Sequence, residues 1–494
     1  MTNPRPADRG DLARIAVQAM IDRGLEPRFS AEALSQLAAI AGPGSDTDAR
    51  IRDLTTLLWC SIDNDDSLDL DQLTASEPLA GGAVRIWVAI ADVDALVKKG
   101  SAIDTHAWTN TTSVYTSATI FPMLPGRLST DLTSLNQGQT RLAMVTEMVV
   151  GADDMVTQSS VYRARVRNQA KLAYDSVSAW IDGAGPLPEP ARAVPGMDVQ
   201  LRTQDDVAQR LRARRHAEGA LEFETLEPRA VFEGDRVVDI RQQVQNRARQ
   251  LIEELMIATN RRTARFLADA GVASLRRVVR SPERWLRIVD VAARLGETLP
   301  RQPDSQALET FLAKRRAADP LRFPDLSLTI VKLMGSGEYV VERPGEAPIG
   351  HFGLAVRDYM HSTAPNRRFP DLISVRMIKA RLADEPAPYA LAELDALATH
   401  CSQQEDAAQK VERRVRKSEA ALVLQSRIGQ HFDAIVTGQS PHDTWIRVFS
   451  PPVEGKLVTN AADLDVGRRV RVTLIRTDVE RGFVDFVPSD LTAG

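Results

Sequence analysis

The densest charge in the sequence lies between Ser61 and Gln72, a segment that contains five aspartates. Clustered carboxylates repel one another, and a chain that places them this densely usually offsets the repulsion with a cation. Oxygen ligands without His or Cys favour Mg²⁺, Mn²⁺ or Ca²⁺ over Zn²⁺. Two interpretations stay open on these residues alone: a site for a divalent cation, or a solvated acidic loop.

The segment does not match an EF-hand calcium loop. Counted from Asp63, the sixth position is Leu68, where the sharp turn needs Gly, and the twelfth is Thr74, where a bidentate Glu is expected. A Mg²⁺ site needs fewer protein ligands and leaves room for phosphate oxygens. Among the cation hypotheses, the segment therefore favours Mg²⁺ and phosphate chemistry.

Length and composition indicate a large protein of several domains. At 494 residues the chain is too long for one ordinary hydrophobic core. The net charge of −4 argues against a uniformly basic coat but leaves room for a local basic channel. Cys60 and Cys401 lie far apart, which predicts a reducing cytoplasm and no disulfide partner. No apolar run is long enough to span a bilayer, so no membrane association is expected.

Residues 1–48 are predicted to form a small helical domain. Asp11 is the predicted cap of the first helix and Ser30 that of the second, with Gly24 and Pro27 between them. The pair fits a helix-turn-helix that contacts nucleic acid. It fits equally well a plain helical hairpin packed on the next domain.

Residues 49–424 mix strand and helix patterns, which predicts an α+β domain. An exposed loop is predicted over Gly183–Pro195, which is rich in Gly and Pro. The predicted strands are Thr55–Ile62, Val84–Ile90 with one buried face, Leu142–Val150 and Met155–Arg167. The predicted helices include 205–216, 245–270, 281–295, 305–317, 369–382 and 391–427.

Residues 425–494 return to short strands and predict a five-stranded OB-type barrel. Such barrels often hold single-stranded nucleic acid on aromatic and basic side chains. Phe432 and Trp445 are candidates for this contact, and an ordinary core position fits each of them as well. The predicted strands are His431–Val436, Thr444–Phe449, Gly455–Val458, Arg469–Arg476 and Phe483–Val487.

Three stretches and the predicted barrel together resemble the RNase II and RNase R family, whose catalytic unit is the RNB domain. The first is the acidic segment 62–71 with the strand that follows it. The second runs from Ser113-Val114-Tyr115 through the Phe-Pro-Met-Leu-Pro motif that begins at Phe121. The third extends from His351 to Arg376 and contains Asn-Arg-Arg-Phe. The barrel resembles the S1 domain that this family carries at its end.

The resemblance implies a processive 3′→5′ exoribonuclease that hydrolyses single-stranded RNA to nucleoside 5′-monophosphates. It implies Mg²⁺ as the cofactor, with Mn²⁺ as an alternative. We further expect a monomer in the cytoplasm, the compartment that the cysteines also indicate. The family's metal site corresponds here to Asp63, Asp69, Asp71 and Gln72, and Asp69 and Asp71 also match catalytic positions. A cation polarises the phosphoryl group and activates water, which is the chemistry that phosphodiester hydrolysis needs.

Other motif positions imply roles in charge stabilisation and RNA binding. Arg367 is the donor expected to stabilise developing negative charge, and Glu412 matches a glutamate near the leaving nucleotide. Tyr115 matches the aromatic that stacks at the 3′ end, and Phe223 the aromatic that clamps the other end of the bound segment. Arg368 is predicted to have a structural role or to bind the RNA backbone.

Two departures from the family pattern qualify this prediction. Gln72 stands where the family has an aspartate, so the site loses one negative charge. An RNA-binding protein without catalysis is therefore an alternative, and an unrelated metal-dependent phosphohydrolase with an appended barrel is a third. The family's two N-terminal cold-shock barrels are expected to be absent, because only residues 1–48 precede the catalytic domain. We expect both the N-terminal helices and the S1-like barrel to contact the RNA.

Overall fold

The computed structural model describes residues 8–224, 227–234, 236–243, 245–320, 322–440, 443–458, 464 and 467–489. Parts of the two predicted terminal domains, residues 1–7 and 490–494, lie outside these ranges. The α-helices are α1 Arg9–Asp22, α2 Ala31–Ala39, α3 Ala102–Asn110, α4 Tyr174–Ile181, α5 Glu189–Arg192, α6 Met197–Ala217, α7 Arg247–Asp269, α8 Trp285–Arg294, α9 Ser305–Ala318, α10 Phe323–Met334, α11 Phe369–Leu382 and α12 Leu391–Leu424.

The strands alternate with these helices until the last part of the chain, where only strands follow. They are β1 Arg52–Asp53, β2 Cys60–Asp63, β3 Gln72–Pro78, β4 Val84–Ala91, β5 Val114–Tyr115, β6 Ile120–Phe121, β7 Thr140–Val150, β8 Val156–Arg167, β9 Ala170–Ala173, β10 Glu227–Glu233, β11 Arg236–Gln243, β12 Ser274–Val278, β13 Glu338–Glu342, β14 His431–Gln439, β15 Thr444–Val448, β16 Val453–Leu457, β17 Arg469–Asp478 and β18 Phe483–Pro488.

The N-terminal helices pack on the rest of the chain. The α1 cap is Asp8, whose side chain accepts the backbone N–H groups of Gly10 and Asp11, and the Asp11 carboxylate accepts the Asp8 N–H in return. The prediction of Asp11 as the cap is therefore wrong by three residues, because Asp11 fills the other half of a capping box. The Ser30 cap is confirmed, since its hydroxyl accepts the Ala33 N–H at 3.1 Å. Met20 of α1 shares a core with α12, so this segment also covers apolar surface.

A seven-stranded sheet in the order β1-β8-β7-β4-β3-β2-β9 forms the centre of the domain. Helix α11 covers one face, together with the start of α12, and helices α4, α6 and α7 cover the other. On β4, Trp87 and Ala89 face the first core, whereas Ile86 and Val88 face the second. The prediction that this strand is half-buried is therefore wrong, because helices distant in sequence cover both of its faces.

Some local predictions hold and others fail at the boundaries. The predicted strands Leu142–Val150 and Met155–Arg167 are confirmed as β7 and β8, which pair with each other in antiparallel orientation. The predicted strand Thr55–Ile62 is shorter in the structure, where β2 begins at Cys60 because turns precede it. As predicted, this strand leads into the acidic segment. The predicted loop Gly183–Pro195 contains α5, which buries Ala191. Helix α6 begins at Met197, ahead of the predicted start at 205.

The five C-terminal strands close into a barrel in the order β14-β15-β16-β18-β17, which confirms the predicted architecture. Gly455 is required where β16 and β18 approach, because a Cβ atom there would lie 2.5 Å from the Phe486 ring. Arg447 of the barrel forms an ion pair with Asp325 of α10, so the barrel contacts the central domain. In the described part of the chain, no helix has both the length and the apolar character that crossing a membrane requires.

Candidate active site

Asp71 directly precedes β3, an inner strand of the central sheet, and its side chain is 2% exposed. Its Oδ1 accepts the backbone N–H of Asn366 at 2.9 Å, and the Nε of Arg367 lies 3.5 Å from Oδ2. Among the described residues, nothing donates a hydrogen bond to Oδ2. Burial raises the pKa of Asp71 to about 7, and the Arg367 charge only partly opposes this. A cation or a proton at this oxygen would remove the conflict.

The loop that carries Arg367 is fixed by a buried network. Asp371 accepts the backbone N–H groups of Thr363 and Ala364 at 2.7 and 2.8 Å. The guanidinium of Arg368 donates to the same carboxylate oxygen at 2.8 Å. Arg368 is thus turned into the protein, whereas the side chain of its neighbour Arg367 is 43% exposed and faces Asp71. Two adjacent arginines therefore have opposite surroundings.

A second group of predicted residues meets beside Asp71. The Tyr115 hydroxyl donates to the Asp69 Oδ2 at 3.2 Å, and the Tyr115 backbone N–H donates to the Glu412 Oε1 at 3.1 Å. Burial and the negative charge of Asp69 raise the pKa of Tyr115, so the phenol keeps its proton. Tyr115 is 41% exposed, which leaves its ring free for stacking. The fold thus joins residues from the acidic segment, β5 and α12.

Asp63, at the end of β2, is held by its own loop. Its Oδ1 accepts the backbone N–H of Asn64 at 2.7 Å and the hydroxyl of Ser67 at 3.0 Å. Burial, reinforced by the charge of Asp69, raises its pKa. The Asn64 amide oxygen accepts a hydrogen bond from Arg249 of α7 at 2.8 Å. We did not predict Arg249, because no local pattern links residues that lie 185 positions apart.

Gln72 is oriented differently from its neighbour Asp71. On β3, Leu73 packs in the core beside α11, whereas the Thr74 hydroxyl donates to Gln204 of α6 at 2.7 Å. Because side chains alternate along a strand, Gln72 shares the Thr74 face. Asp71 bonds instead to the Asn366 loop, which precedes α11. The Gln72 amide, which stands where the family has an aspartate, therefore lies on a different face of the strand from the Asp71 carboxylate.

The aspartates fit a hard divalent cation by their chemistry. Asp63, Asp69 and Asp71 offer carboxylate oxygens, and the Asp71 Oδ2 has no donor among the described residues. Their ligand atoms are not all within 4.8 Å of one another. Among the described residues, the group of three that meets this spacing is His216, Glu222 and Glu309, which lies elsewhere. There Arg212 and Arg316 already pair with Glu222 and supply positive charge.

The remaining RNA-binding candidates lie in different surroundings. Phe223 is half-buried against a core that contains Trp285. Phe432 is 8% exposed and packs edge-on against Phe486, so it belongs to the barrel core rather than to a stacking surface. Trp445 is 41% exposed, and the Lys417 ammonium lies 5.8 Å from its ring centroid. Glu254, in contrast, is buried and paired with Arg215, which is typical of a residue that stabilises a helix contact.

Comparisons with known proteins match both parts of the chain. The family model of the RNB domain matches residues 51–384, and that of the RNase II-type exonuclease C-terminal S1 domain matches residues 430–489. Ribonuclease R of Vibrio cholerae is 32% identical over 423 residues, which cover 82% of this chain and 50% of that protein. The chain spans about half the length of the curated relatives it matches.

Two solved structures share the fold at low sequence identity. Mycoplasma genitalium RNase R in complex with ribose methylated single-stranded RNA has a TM-score of 0.87 and 21% identity, covering 97% of this chain and 78% of that one. Yeast Ssd1, described as a pseudonuclease, has a TM-score of 0.73 and 15% identity, covering 95% and 59%. The hypothesis of an unrelated phosphohydrolase is wrong, because the RNB match alone spans more than half of the chain. This chain belongs to the RNB-domain family of RNase II and RNase R, with the family's S1 domain at its C-terminal end.

Proposed function

We propose that this chain is a processive 3′→5′ exoribonuclease that hydrolyses single-stranded RNA to nucleoside 5′-monophosphates with Mg²⁺, for which Mn²⁺ can substitute. The observation that supports this most strongly is the Asp71 carboxylate. It is buried, it lacks a hydrogen-bond donor on Oδ2 among the described residues, and it faces the partly exposed guanidinium of Arg367. A negative oxygen beside a positive donor is suited to a phosphoryl group and its cation.

The proposed roles follow from the contacts of each side chain. Asp63, Asp69 and Asp71 would hold the cation, which when bound polarises a phosphoryl group and lowers the pKa of water. The backbone N–H of Asn366 fixes the orientation of Asp71. Arg367 donates to phosphoryl oxygens as negative charge develops there, and its loop is held rigidly enough to need little reorganisation.

Tyr115 joins RNA binding to the acidic cluster. Its ring would stack on the 3′-terminal base, which accepts every base because each has a π-face. Its hydroxyl orients Asp69, and Glu412 holds its backbone. The role of Glu412 in this proposal is thus to position Tyr115 next to the leaving nucleotide.

We expect two substitutions at Tyr115 to separate stacking from orientation. Tyr115→Ala should weaken binding of single-stranded RNA by about 1–3 kcal/mol, because one base loses its stacking partner. Tyr115→Phe should keep that affinity and slow cleavage, since only the hydrogen bond to Asp69 is lost. Equilibrium binding and single-turnover cleavage of the same labelled RNA measure the two effects. Equal affinity loss in both variants would contradict the stacking role.

The direct test is a time course on 5′-labelled single-stranded RNA with Mg²⁺. The proposal predicts a ladder that shortens from the 3′ end to a short limit product, with nucleoside 5′-monophosphates identified by chromatography. Chelation of the divalent cation should stop the reaction. Internal cuts or nucleoside 3′-monophosphates would refute the proposed reaction. Sedimentation at several concentrations tests the proposed monomer, and fractionation of cells tests the proposed cytoplasmic location.

An RNA-binding protein without catalysis is the second candidate function. The observation that favours it is Gln72, which replaces an acidic residue and, by the alternation of side chains along β3, shares the face of Thr74 rather than that of Leu73. Yeast Ssd1, described as a pseudonuclease, shares this fold, so the fold by itself does not establish catalysis. Tight RNA binding without cleavage in either Mg²⁺ or Mn²⁺ would favour this candidate.

Restoring the acid at position 72 tests what the replacement does to the metal site. We expect Gln72→Asp to lower the Mg²⁺ concentration for half-maximal cleavage roughly three- to tenfold, because one more negative charge attracts the cation. Gln72→Ala removes the amide without adding charge and serves as the control. A metal titration that is unchanged in Gln72→Asp, with normal RNA binding, would contradict the charge argument.

A further inference from the structure

A small basic cleft lies away from the aspartates, between α6, α7 and the turn that joins β7 to β8. Arg261 and Arg262 of α7 line it together with Arg214 and Glu218 of α6 and Met155 of the turn. Its volume is about 90 Å³. A buried water needs about 10–15 Å³, so the cleft has room for a group of a few atoms. A phosphate group fits this size better than a nucleoside does.

Most arginines around the cleft have a carboxylate partner. Arg215 donates to Glu254 at 3.1 Å, and the Nε of Arg214 lies 3.1 Å from Glu218. Arg265, on the next turn of α7, lies 3.7 Å from Asp269. Arg261 and Arg262 differ from these, because no carboxylate oxygen in the described part of the chain lies within 4 Å of either one. The cleft therefore contains two guanidinium groups whose charge is not offset by contact.

These two side chains are also partly desolvated. Both are half-buried, and the Nε of Arg262 is inaccessible to solvent and has no hydrogen-bond partner among the described residues. Burial lowers the pKa of both groups, and the charges of Arg261 and Arg265 lower that of Arg262 further, while the more distant carboxylates of Glu218 and Asp358 only partly oppose the shift of Arg261. A buried donor without an acceptor and adjacent like charges both cost stability. An anion in the cleft would relieve both.

The position of the cleft on α7 connects it to the proposed active site. Arg249, near the start of α7, bonds to Asn64 in the acidic segment. Arg249 and Arg261 belong to the same helix, twelve residues apart, and at about 100° per residue they are rotated by about 120° around its axis. Twelve residues at 1.5 Å each separate Arg249 from Arg261 by about 18 Å along the axis. A strand that reaches both sites must be several nucleotides long.

We propose that the Arg261–Arg262 cleft binds a backbone phosphate of the substrate RNA, outside the catalytic cluster. Guanidinium groups bind phosphate oxygens through two parallel hydrogen bonds, and arginine is the preferred residue for this contact. The inference rests on the proposed function to the extent that RNA is the ligand. Because the contact is to the backbone and not to a base, it contributes to the affinity for RNA and not to sequence selection.

The test is the salt dependence of RNA binding by the Arg261→Gln/Arg262→Gln double variant, in the full chain with Asp71→Asn to prevent degradation. Losing one phosphate contact should reduce the slope of log affinity against log salt by about 0.7 for a single strand. Affinity for a long single-stranded RNA should fall about tenfold at low salt. Affinity for a trinucleotide, which occupies only the catalytic end, should stay unchanged.

The matched control is Arg50→Gln/Arg343→Gln, which removes the same charge from exposed arginines paired with Asp48 and Asp395. If the two double variants show the same slope and affinity for long RNA, the inference is wrong. Arg261→Lys/Arg262→Lys keeps the charge and loses the forked geometry, so it gives a second test if the Gln variant does not fold. In that variant, affinity for long RNA should fall while affinity for the trinucleotide stays the same, and unchanged affinity for both would refute the inference.

A further arm separates RNA from free phosphate as the source of the anion. Inorganic phosphate at constant ionic strength is added to the parent protein and to the Gln double variant. If inorganic phosphate binds through these arginines while long RNA binds equally well with and without them, the cleft is a site for free phosphate and the RNA assignment is wrong. If the parent protein binds no RNA of any length, the proposed function is wrong and the RNA assignment of the cleft is wrong with it.

Discussion

Asp71→Asn is expected to slow cleavage of single-stranded RNA by on the order of 10³-fold, about 4 kcal/mol of transition-state stabilisation. The substitution removes the negative charge from the oxygen that lacks a donor and faces Arg367. Asn keeps an oxygen that can accept the backbone N–H of Asn366, so the fold should persist. Single-turnover cleavage of 5′-labelled RNA measures the rate, and equilibrium binding measures whether the RNA still enters. We expect affinity within about threefold of wild type, since base stacking and phosphate contacts are untouched.

The control for this prediction is Asp66→Asn, which makes the same chemical change in the same loop. Asp66 is exposed, and the resemblance to the RNase II and RNase R family assigns it no metal role. Its removal should leave the rate within about twofold, because exposed surface changes have small effects. If Asp66→Asn and Asp71→Asn slow cleavage equally, the loss reflects the net charge of the segment rather than a specific ligand. If Asp71→Asn retains the wild-type rate, the site is misassigned.

Arg367→Gln is expected to reduce the cleavage rate roughly 10²–10³-fold, the usual effect of removing one fixed donor to a developing negative charge. Its pairing with Asp71 is weakened by solvent, because the Arg367 side chain is 43% exposed. We therefore expect little change in the free energy of unfolding. Single-turnover kinetics and chemical denaturation of the same preparation measure the two quantities.

The neighbouring residue, Arg368, provides a control in which stability is expected to change. Arg368 pairs with the fully buried Asp371 at 2.8 Å, and that carboxylate also holds the backbone of the loop. Arg368→Gln should lower the free energy of unfolding by about 3–5 kcal/mol, because it leaves a buried charge without its partner. If the Arg367 variant loses stability but keeps its activity, the role assigned to Arg367 is wrong. If the Arg368 variant loses activity but keeps its stability, the role assigned to Arg368 is wrong.

Features with a local cause could be predicted from the sequence. The barrel strands alternate apolar and polar residues between turn residues, and all five lie within a few residues of their predicted bounds. The Ser30 cap and the β7–β8 pair likewise depend on neighbours within a short segment. The family motifs also carry their own information, because the motif positions alone predict site roles for Asp69, Asp71, Tyr115 and Arg367. The fold then places these four side chains together.

Features that depend on distant segments could not be predicted. The two buried faces of β4 require helices α4, α6, α7 and α11, all of which lie far beyond β4 in the sequence. Phe432 and Trp445 are both aromatic residues on barrel strands, and closure of the barrel decides that Phe432 is buried and Trp445 is exposed. The donor that Arg249 offers to Asn64 has no signal in either segment.

The same distinction holds within the acidic segment. The sequence alone determined that carboxylates are concentrated there, that oxygen ligands favour a hard cation, and that the family is that of RNase II and RNase R. Only the tertiary structure decided that Asp71 is buried against Arg367 while Asp66 stays in solvent. The physical reason is that the local residue pattern determines where strands form and where charged residues are concentrated. The burial of each side chain and its hydrogen-bond partners depend on which segments, distant in the sequence, pack against it.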